Sequence, residues 1–308
     1  MRTIVEYPPV STLYVILKRL GLSVTWIDGI RHSIKERKIG EIISDIVQSY
    51  NEEEFHSVEV LTEKSPIYVM WWTGVDDMPP VVRICYQNLI AKSKLHKVIL
   101  ITKNNINTLF PTIKDEISEL VFMLENGKIT IQYFSDLLRT LILDKIGGIW
   151  IDGTVFVSDG WDQYLINKSF FSGRRDEKYF FKNSSPTQGQ WTSYFIASTK
   201  GNILMRFVNQ CLRVCYVKSG GVIDYFAIDY IFAVAFKEID SIEKMIKEQP
   251  LLYANLFGMD MNNEYSEEYL NKLMETAPFY KLNHRHIVRE YTTLGKKTLF
   301  GELKSRYF

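Results

Sequence analysis

Residues 135–154, SDLLRTLILDKIGGIWIDGT, constrain this chain more than any other stretch. Ser135-Asp136-Leu137-Leu138-Arg139 opens an apolar helix; against a binding role for Asp136 and Arg139 stands the alternative that Ser135 or Asp136 caps the helix and Arg139 pairs on the surface. Gly147-Gly148 ends the helix, because glycine enters positive φ without a Cβ clash. A short apolar strand, Ile149 to Ile151, follows and carries Asp152 to its C-terminal edge. In open α/β sheets, ligands bind beyond the carboxyl ends of strands, so Asp152 stands where a metal, a ribose or a phosphate would be met. Asp136 and Arg139 are three apart and share a helix face. The competing reading of Asp152 is a turn former ahead of Gly153, since Asp-Gly is a common turn signal.

Around this run the pattern alternates short strands and helices. Ile67 to Trp72 reads as a buried strand, and Val81 to Lys92 as a helix after the Pro79-Pro80 start signal. Lys97 to Thr102 is a second β-branched strand, and Thr112 to Asn126 is helix and loop. Phe170 to Arg174 and Phe195 to Ala197 are later strands. Asn202 to Lys218, Asp224 to Phe236 and Ser266 to Thr276 are helices, and a polar, basic tail begins at Tyr280. This order predicts an α/β fold with a mostly parallel sheet and helices on both faces. Residues 1–64 read as a separate helical annex and 65–308 as the catalytic domain. In the annex, Val10 to Leu20 is apolar, Asp28 to Lys38 is basic, Gly40 to Tyr50 is amphipathic, and Glu52 to Glu54 makes an acidic hinge.

Two motifs in fixed order carry a family likeness. The run at 135–154 is similar to the S-D-x-x-R, helix, G-G-I-W/Y-x-D-x-D/T pattern of retaining GT-A glycosyltransferases. The stretch Ile67-Tyr68-Val69-Met70-Trp71-Trp72-Thr73-Gly74, with Asp76-Asp77 and Pro79-Pro80 behind it, resembles the first strand and loop of the same group. The group is the capsular polysaccharide synthesis family, related to initiating α-mannosyltransferases and, more distantly, to glucosylating bacterial toxins. The likeness covers roughly residues 65 to 300. It implies a GT-A, Rossmann-like domain that moves a hexose, galactose or glucose, from a UDP-sugar with retention. The implied acceptor is a lipid-linked capsule or exopolysaccharide repeat unit.

The resemblance also distributes roles. Trp71 or Trp72 would stack on the nucleobase, Trp71 the favoured one, with Thr73 and Gly74 letting backbone approach the base or ribose. Asp136 and Arg139 would meet the donor's sugar hydroxyls and diphosphate, a carboxylate accepting hydroxyl protons and a guanidinium holding phosphate. Asp152 would bind Mn²⁺ or Mg²⁺. Thr154 stands where the fuller pattern has its second carboxylate, and a hydroxyl is a weaker ligand for these ions. The tail Lys281-Leu282-Asn283-His284-Arg285-His286 resembles the family's K-L-x-W-K. There Asn283 or His284 would complete the metal site, and Lys281 and Arg285 would hold phosphate. Asp229 sits in the apolar segment DYFAIDYIF, where a carboxylate needs a partner. It is the candidate for the reacting face of the sugar, against the alternative of an exposed helix position.

Composition narrows the rest. Net charge is +1 over 308 residues, with no basic-aromatic stripe, so nucleic acid is not an expected partner. A nucleotidyltransferase would want a Gly-rich basic loop after the first strand, and here Asp76-Asp77 make it acidic. Cys85, Cys211 and Cys215 lack companion ligands for zinc and read as buried thiols. No signal peptide and no membrane span are evident, which predicts a cytoplasmic enzyme. Trp26 and the basic 28–38 segment would allow contact with the inner face of a membrane, against the alternative of a packed helical layer. The loop from Ser184 to Trp191 is an acceptor-lid candidate, with an ordinary surface loop as the equal alternative. Thr154 also leaves open a degenerate homologue that only binds glycan or a partner.

Overall fold

The computed structural model describes residues 25–50, 59–175, 185–252 and 258–308, with side chains from residue 27. The expected helix at Val10–Leu20 and the Glu52–Glu54 hinge lie outside the described residues, as do Ser184 and the Trp26 side chain.

The elements, in order, are α1 (Thr25–Tyr50), β1 (Ile67–Met70), α2 (Pro80–Lys92), β2 (Val98–Ile101), α3 (Ile106–Leu109), α4 (Lys114–Glu125), α5 (Ile131–Lys145), β3 (Gly148–Ile151) and β4 (Val155–Val157). There follow β5 (Phe170–Ser172), β6 (Arg174–Arg175), β7 (Phe195–Ser198), α6 (Ile203–Ser219), α7 (Ala227–Glu238), α8 (Asp240–Lys247), β8 (Leu251–Leu252), α9 (Glu267–Thr276), β9 (Phe279–Lys281) and α10 (Leu299–Tyr307).

Five strands form the central sheet in the order β2-β1-β3-β7-β5. β1 runs parallel to β2 and β3, and β7 runs against β3 and β5. Four strands therefore point one way and β7 alone is reversed, the mostly parallel sheet that the sequence pattern predicts. Two small ladders flank it: β4 with β9, antiparallel, and β6 with β8, parallel.

Strand side chains alternate between faces, and that divides the interior into two layers. Tyr68, Trp150 and Ile196 face a core built with α1 and α3 to α8. Ile67, Val69, Ile149, Ile151, Phe195 and Ala197 face a second core with α2, β4, β9, α9 and α10. All three cysteines are free and buried in these layers, as their reading as core thiols expects.

Residues 25–50 form one continuous helix, where the sequence suggests two segments. α1 runs through Gly40, whose Cα–H faces α7, and a Cβ there would meet Val234 at 3.6 Å. α1 packs on α6 and α7, burying Ile27, Ile39, Ile43 and Tyr50. Part of its basic segment is engaged by the body of the protein. Lys35 Nζ lies 2.6 Å from Asp224, His32 Nδ1 is 2.8 Å from the Tyr230 hydroxyl, and Arg37 lies 3.8 Å from Glu41 on the same helix.

Two further expectations are corrected. α5 starts one turn before Ser135: Thr130 is its cap, its hydroxyl accepting the Tyr133 N–H at 3.2 Å. Ser135 and Asp136 are thus interior helical positions, free of capping duty. The region from Tyr280 is more than a polar tail. It begins inside β9 and closes with α10, capped by Thr298, whose hydroxyl accepts the Gly301 N–H at 3.1 Å. No helix among the described residues is long and apolar enough to cross a membrane.

Candidate active site

Because β1 and β3 are parallel neighbours, their carboxyl ends reach the same edge of the sheet. Trp71 leaves one and Asp152 leaves the other. The intervening Gly153 brings the two together, since a Cβ on it would sit 3.5 Å from the Trp71 ring. A cavity of about 1050 Å³ opens at this edge. Of the sequence-predicted site residues, all line it except Gly74. Gly74 instead holds a tight turn, at φ +94° with its N–H donated to the Trp71 carbonyl at 3.0 Å.

Asp152 is the hub. Trp150 and Asp152 lie on the same face of β3's extension, and the Trp150 indole N–H donates to Asp152 Oδ1 at 3.0 Å. Arg139 approaches the same oxygen at 3.4 Å, and Lys281 donates to Oδ2 at 2.8 Å. Lys281 comes from 129 residues away because β9 pairs with β4, setting it opposite Val155. The next residue locks the register: the Leu282 N–H donates to the Thr154 carbonyl at 2.8 Å. Burial alone would raise the Asp152 carboxyl, but Lys281 and then Arg139 outweigh it and hold it below the usual carboxylate range. Asp152 also closes a turn, its carbonyl accepting the Val155 N–H at 2.9 Å. The turn-forming and site readings therefore coexist.

Arg139, buried on α5, touches all sides. Its guanidinium lies 3.2 Å from Asp136, donates to the Ser193 carbonyl, and stacks 5.3 Å above the Trp150 ring. Its Nε has no partner among the described residues. Asp136 and Asp229 are both buried and line the cavity. Burial pushes the Asp136 carboxyl up to about 7 against the pull of Arg139, with Asp229 and Asp152 adding repulsion. Burial likewise raises Asp229 to about 6, opposed by hydrogen bonds from Trp191 and Ser193. Asp229 is thus no exposed helix position: it accepts the Trp191 indole N–H at 3.1 Å. Asp224, five residues earlier, precedes α7 and serves structure, pairing with Lys35 and accepting the Phe226 N–H at 2.9 Å.

The two tryptophans divide as strand alternation predicts. Trp72 packs edge-on against Phe134 at 5.1 Å and joins the core. Trp71 meets His284 edge-on at 5.8 Å, and its indole nitrogen is buried without a partner among the described residues. Burial and the charges of Arg285 and Lys281 lower the His284 pKa, favouring neutral imidazole. Asn283 uses its side-chain oxygen to accept the Arg285 N–H at 2.9 Å.

Sequence reasoning missed Ser193, Tyr194, Tyr225 and Phe226, which also line the cavity. Lys281 lies 5.0 Å over the Tyr194 ring. Tyr225 and Phe226 stack edge-on at the rim, largely exposed. Their signal was the run of aromatics around Asp229. Of the lid candidate, Ser185, Thr187 and the buried Trp191 form cavity wall.

The donor set fits a divalent ion poorly. Among the described residues no three His, Cys, Asp or Glu side chains converge to hold one. In the expected set of Asp152, Thr154, Asn283 and His284, the one carboxylate already binds two cations. Arg139 and Lys281 repel a divalent ion at that carboxylate and offset part of its attraction. An ion at the Lys281-bound oxygen of Asp152 would compete with that ammonium.

The arrangement sets two cations, Arg139 and Lys281, on the Asp152 carboxylate at a sheet edge, with Asp136 also beside Arg139 and aromatic rings around them. Comparison with curated proteins finds no match. Among solved structures, one described as "PaToxG Glycosyltransferase" aligns with 71% of this chain and 83% of its own, at 13% identity and a TM-score of 0.43. The sequence profile of the family described as "Capsular polysaccharide synthesis protein" matches residues 25–303, from the start of α1 into α10, and the chain belongs to that family.

Proposed function

We propose that the protein is a glycosyltransferase that moves a hexose, galactose or glucose, from a UDP-sugar to a hydroxyl of a glycan acceptor, with retention. The observation that carries this reading is the grouping of Arg139, Asp152 and Lys281 in a cavity shared with Trp71, Asp136 and Asp229. Glycosyl transfer needs stabilisation of a departing diphosphate more than it needs a strong base. Fixed positive charge near that leaving group supplies the electrostatic preorganisation that usually dominates such catalysis. Arg139, Lys281 and Arg285 are assigned to the diphosphate, Trp71 with Thr73 to the nucleoside, and Asp136 to sugar hydroxyls.

Asp229 is assigned to the reacting face of the sugar. Its hydrogen bonds from Trp191 and Ser193 engage the carboxylate, which weakens it as a nucleophile. Front-face attack by the acceptor hydroxyl is therefore the proposed route. A covalent sugar trapped on Asp229 in an acceptor-starved reaction would replace it with double displacement. The acceptor is assigned as a lipid-linked capsule or exopolysaccharide repeat unit, reached from the inner face of a membrane. Membership of the capsular polysaccharide synthesis family supports that assignment.

The test is a screen of UDP-sugars for hydrolysis and for transfer to lipid-linked oligosaccharide. Release of UDP from one or two sugars is the expected outcome. A folded protein that binds no nucleotide sugar, GDP-sugars included, would leave the binding-only homologue, the second reading that Thr154 favours.

A further inference from the structure

We propose that Lys281 does the work of the divalent cation, so that the donor's diphosphate is held by an ammonium and a guanidinium anchored on Asp152, without a metal. The inference rests on the donor-site reading above and specifies its chemistry. Three independent observations support it.

The first is chemical. Two residues past Asp152, Thr154 brings a neutral hydroxyl to the cavity, so this pair offers a small hard cation one carboxylate only. The second is geometric. Asp152 accepts from Lys281 at 2.8 Å on one oxygen, and on the other accepts from Trp150 at 3.0 Å and faces Arg139 at 3.4 Å. Each carboxylate oxygen is thus already engaged by a donor group. The third is architectural. The lysine is built into the fold and does not hang from a loose tail. The β4–β9 ladder and the Leu282-to-Thr154 hydrogen bond fix its backbone, and the Tyr194 ring lies 5.0 Å beneath its ammonium. An ammonium carries three N–H donors, and Asp152 takes one of them. The others serve phosphate oxygens in the place where a metal would coordinate them. Asp152 then acts as the positioning residue for Lys281 and Arg139, touching the donor through them.

The experiment is calorimetric titration with UDP and, separately, inorganic diphosphate. Each is run in EDTA and in Mn²⁺, on the unaltered protein, Lys281→Met, Lys281→Arg and the double variant Lys281→Met/Thr154→Asp. Melting curves confirm that each variant folds. The proposal expects the unaltered protein to bind UDP within about 2-fold equally in EDTA and Mn²⁺. Lys281→Met should weaken binding about 30-fold, the scale of a lost charge-assisted hydrogen bond, and Lys281→Arg should restore part of it. The double variant should bind UDP only with Mn²⁺. UDP binding by the unaltered protein that requires Mn²⁺ overturns the inference and leaves the donor-site reading standing. If neither UDP nor diphosphate binds under any condition, both fall. Should Lys281→Met not fold, the EDTA and Mn²⁺ arms on the unaltered protein still decide.

Discussion

Three aspartates lie around the guanidinium of Arg139, and they titrate apart. Asp152 is held low by Lys281 and Arg139 once burial is offset, while burial lifts Asp136 to about 7 and Asp229 to about 6. The charge of Asp229 adds to the rise at Asp136. The ordinary Asp value in an unfolded chain is about 3.9. A carboxyl raised in the folded state contributes stability that is complete below that value and is lost as pH rises through the folded value. Asp136→Asn should therefore melt higher than the unaltered protein at pH 8, by about 4 kcal/mol or roughly 8 °C. The gap should close by pH 4, because the unaltered carboxyl is then protonated as well. Differential scanning calorimetry across that range checks it, and an equal difference at both pH values would show that the buried charge is not the cause. Asp152→Asn makes the opposite case. It keeps the shape, removes the charge that orders Lys281 and Arg139, and should lower donor turnover about 100-fold or more with the melting temperature within a few degrees. Unchanged turnover at an unchanged melting temperature would take Asp152 out of the site.

At the scale of the element, legibility followed locality. The helix, the two glycines, the strand and Asp152 lie within twenty consecutive residues, and each carries its own signal, so that unit could be read from sequence. Only its start was misplaced. Ser135 and Asp136 resemble caps by type, whereas the cap in use is Thr130, one turn earlier and ahead of an apolar Ile131. The β4–β9 ladder gave no such signal. Each strand has three residues, too few to show a period, and they meet across more than 120 positions. α10 was missed for a related reason: nine residues of mixed charge hide a short apolar face of Leu299, Phe300 and Leu303. The helix-to-strand joint makes a sharp prediction. Gly148 sits at φ +122°, and a Cβ there would meet the Tyr68 ring at 2.7 Å and the Pro66 carbonyl at 2.8 Å. Gly148→Ala strains the backbone and overpacks the sheet together, so a loss of about 3 kcal/mol is expected. Chemical denaturation measures it, and a loss below about 1 kcal/mol would mean that β3 shifts freely to make room.

At the scale of the whole molecule, sequence composition suggested a boundary near residue 64, yet α1 supplies one wall of the larger core. Six of its side chains, Ile27, Ile39, Ile43, Ile46, Val47 and Tyr50, are buried against the body. An amphipathic helix reads the same in sequence whether it packs on its own domain or on a neighbour, so the pattern alone could not say what covers it. Lys35 adds a salt bridge to Asp224, whose other oxygen accepts from the loop that presents Tyr225 and Phe226 at the cavity rim. The helix thus helps hold the loop ahead of Asp229. Burying each large apolar side chain is worth about 2 kcal/mol, so the six together contribute roughly 10 kcal/mol. A whole domain is stable by only about 5 to 15 kcal/mol. A chain beginning at residue 59 should therefore lose cooperative unfolding and bind a hydrophobic dye, and adding a separate peptide of residues 25–50 should restore part of both. A residue 59–308 chain that melts sharply without the peptide would instead make α1 a dispensable layer, and the catalytic unit would end at the sheet's own helices.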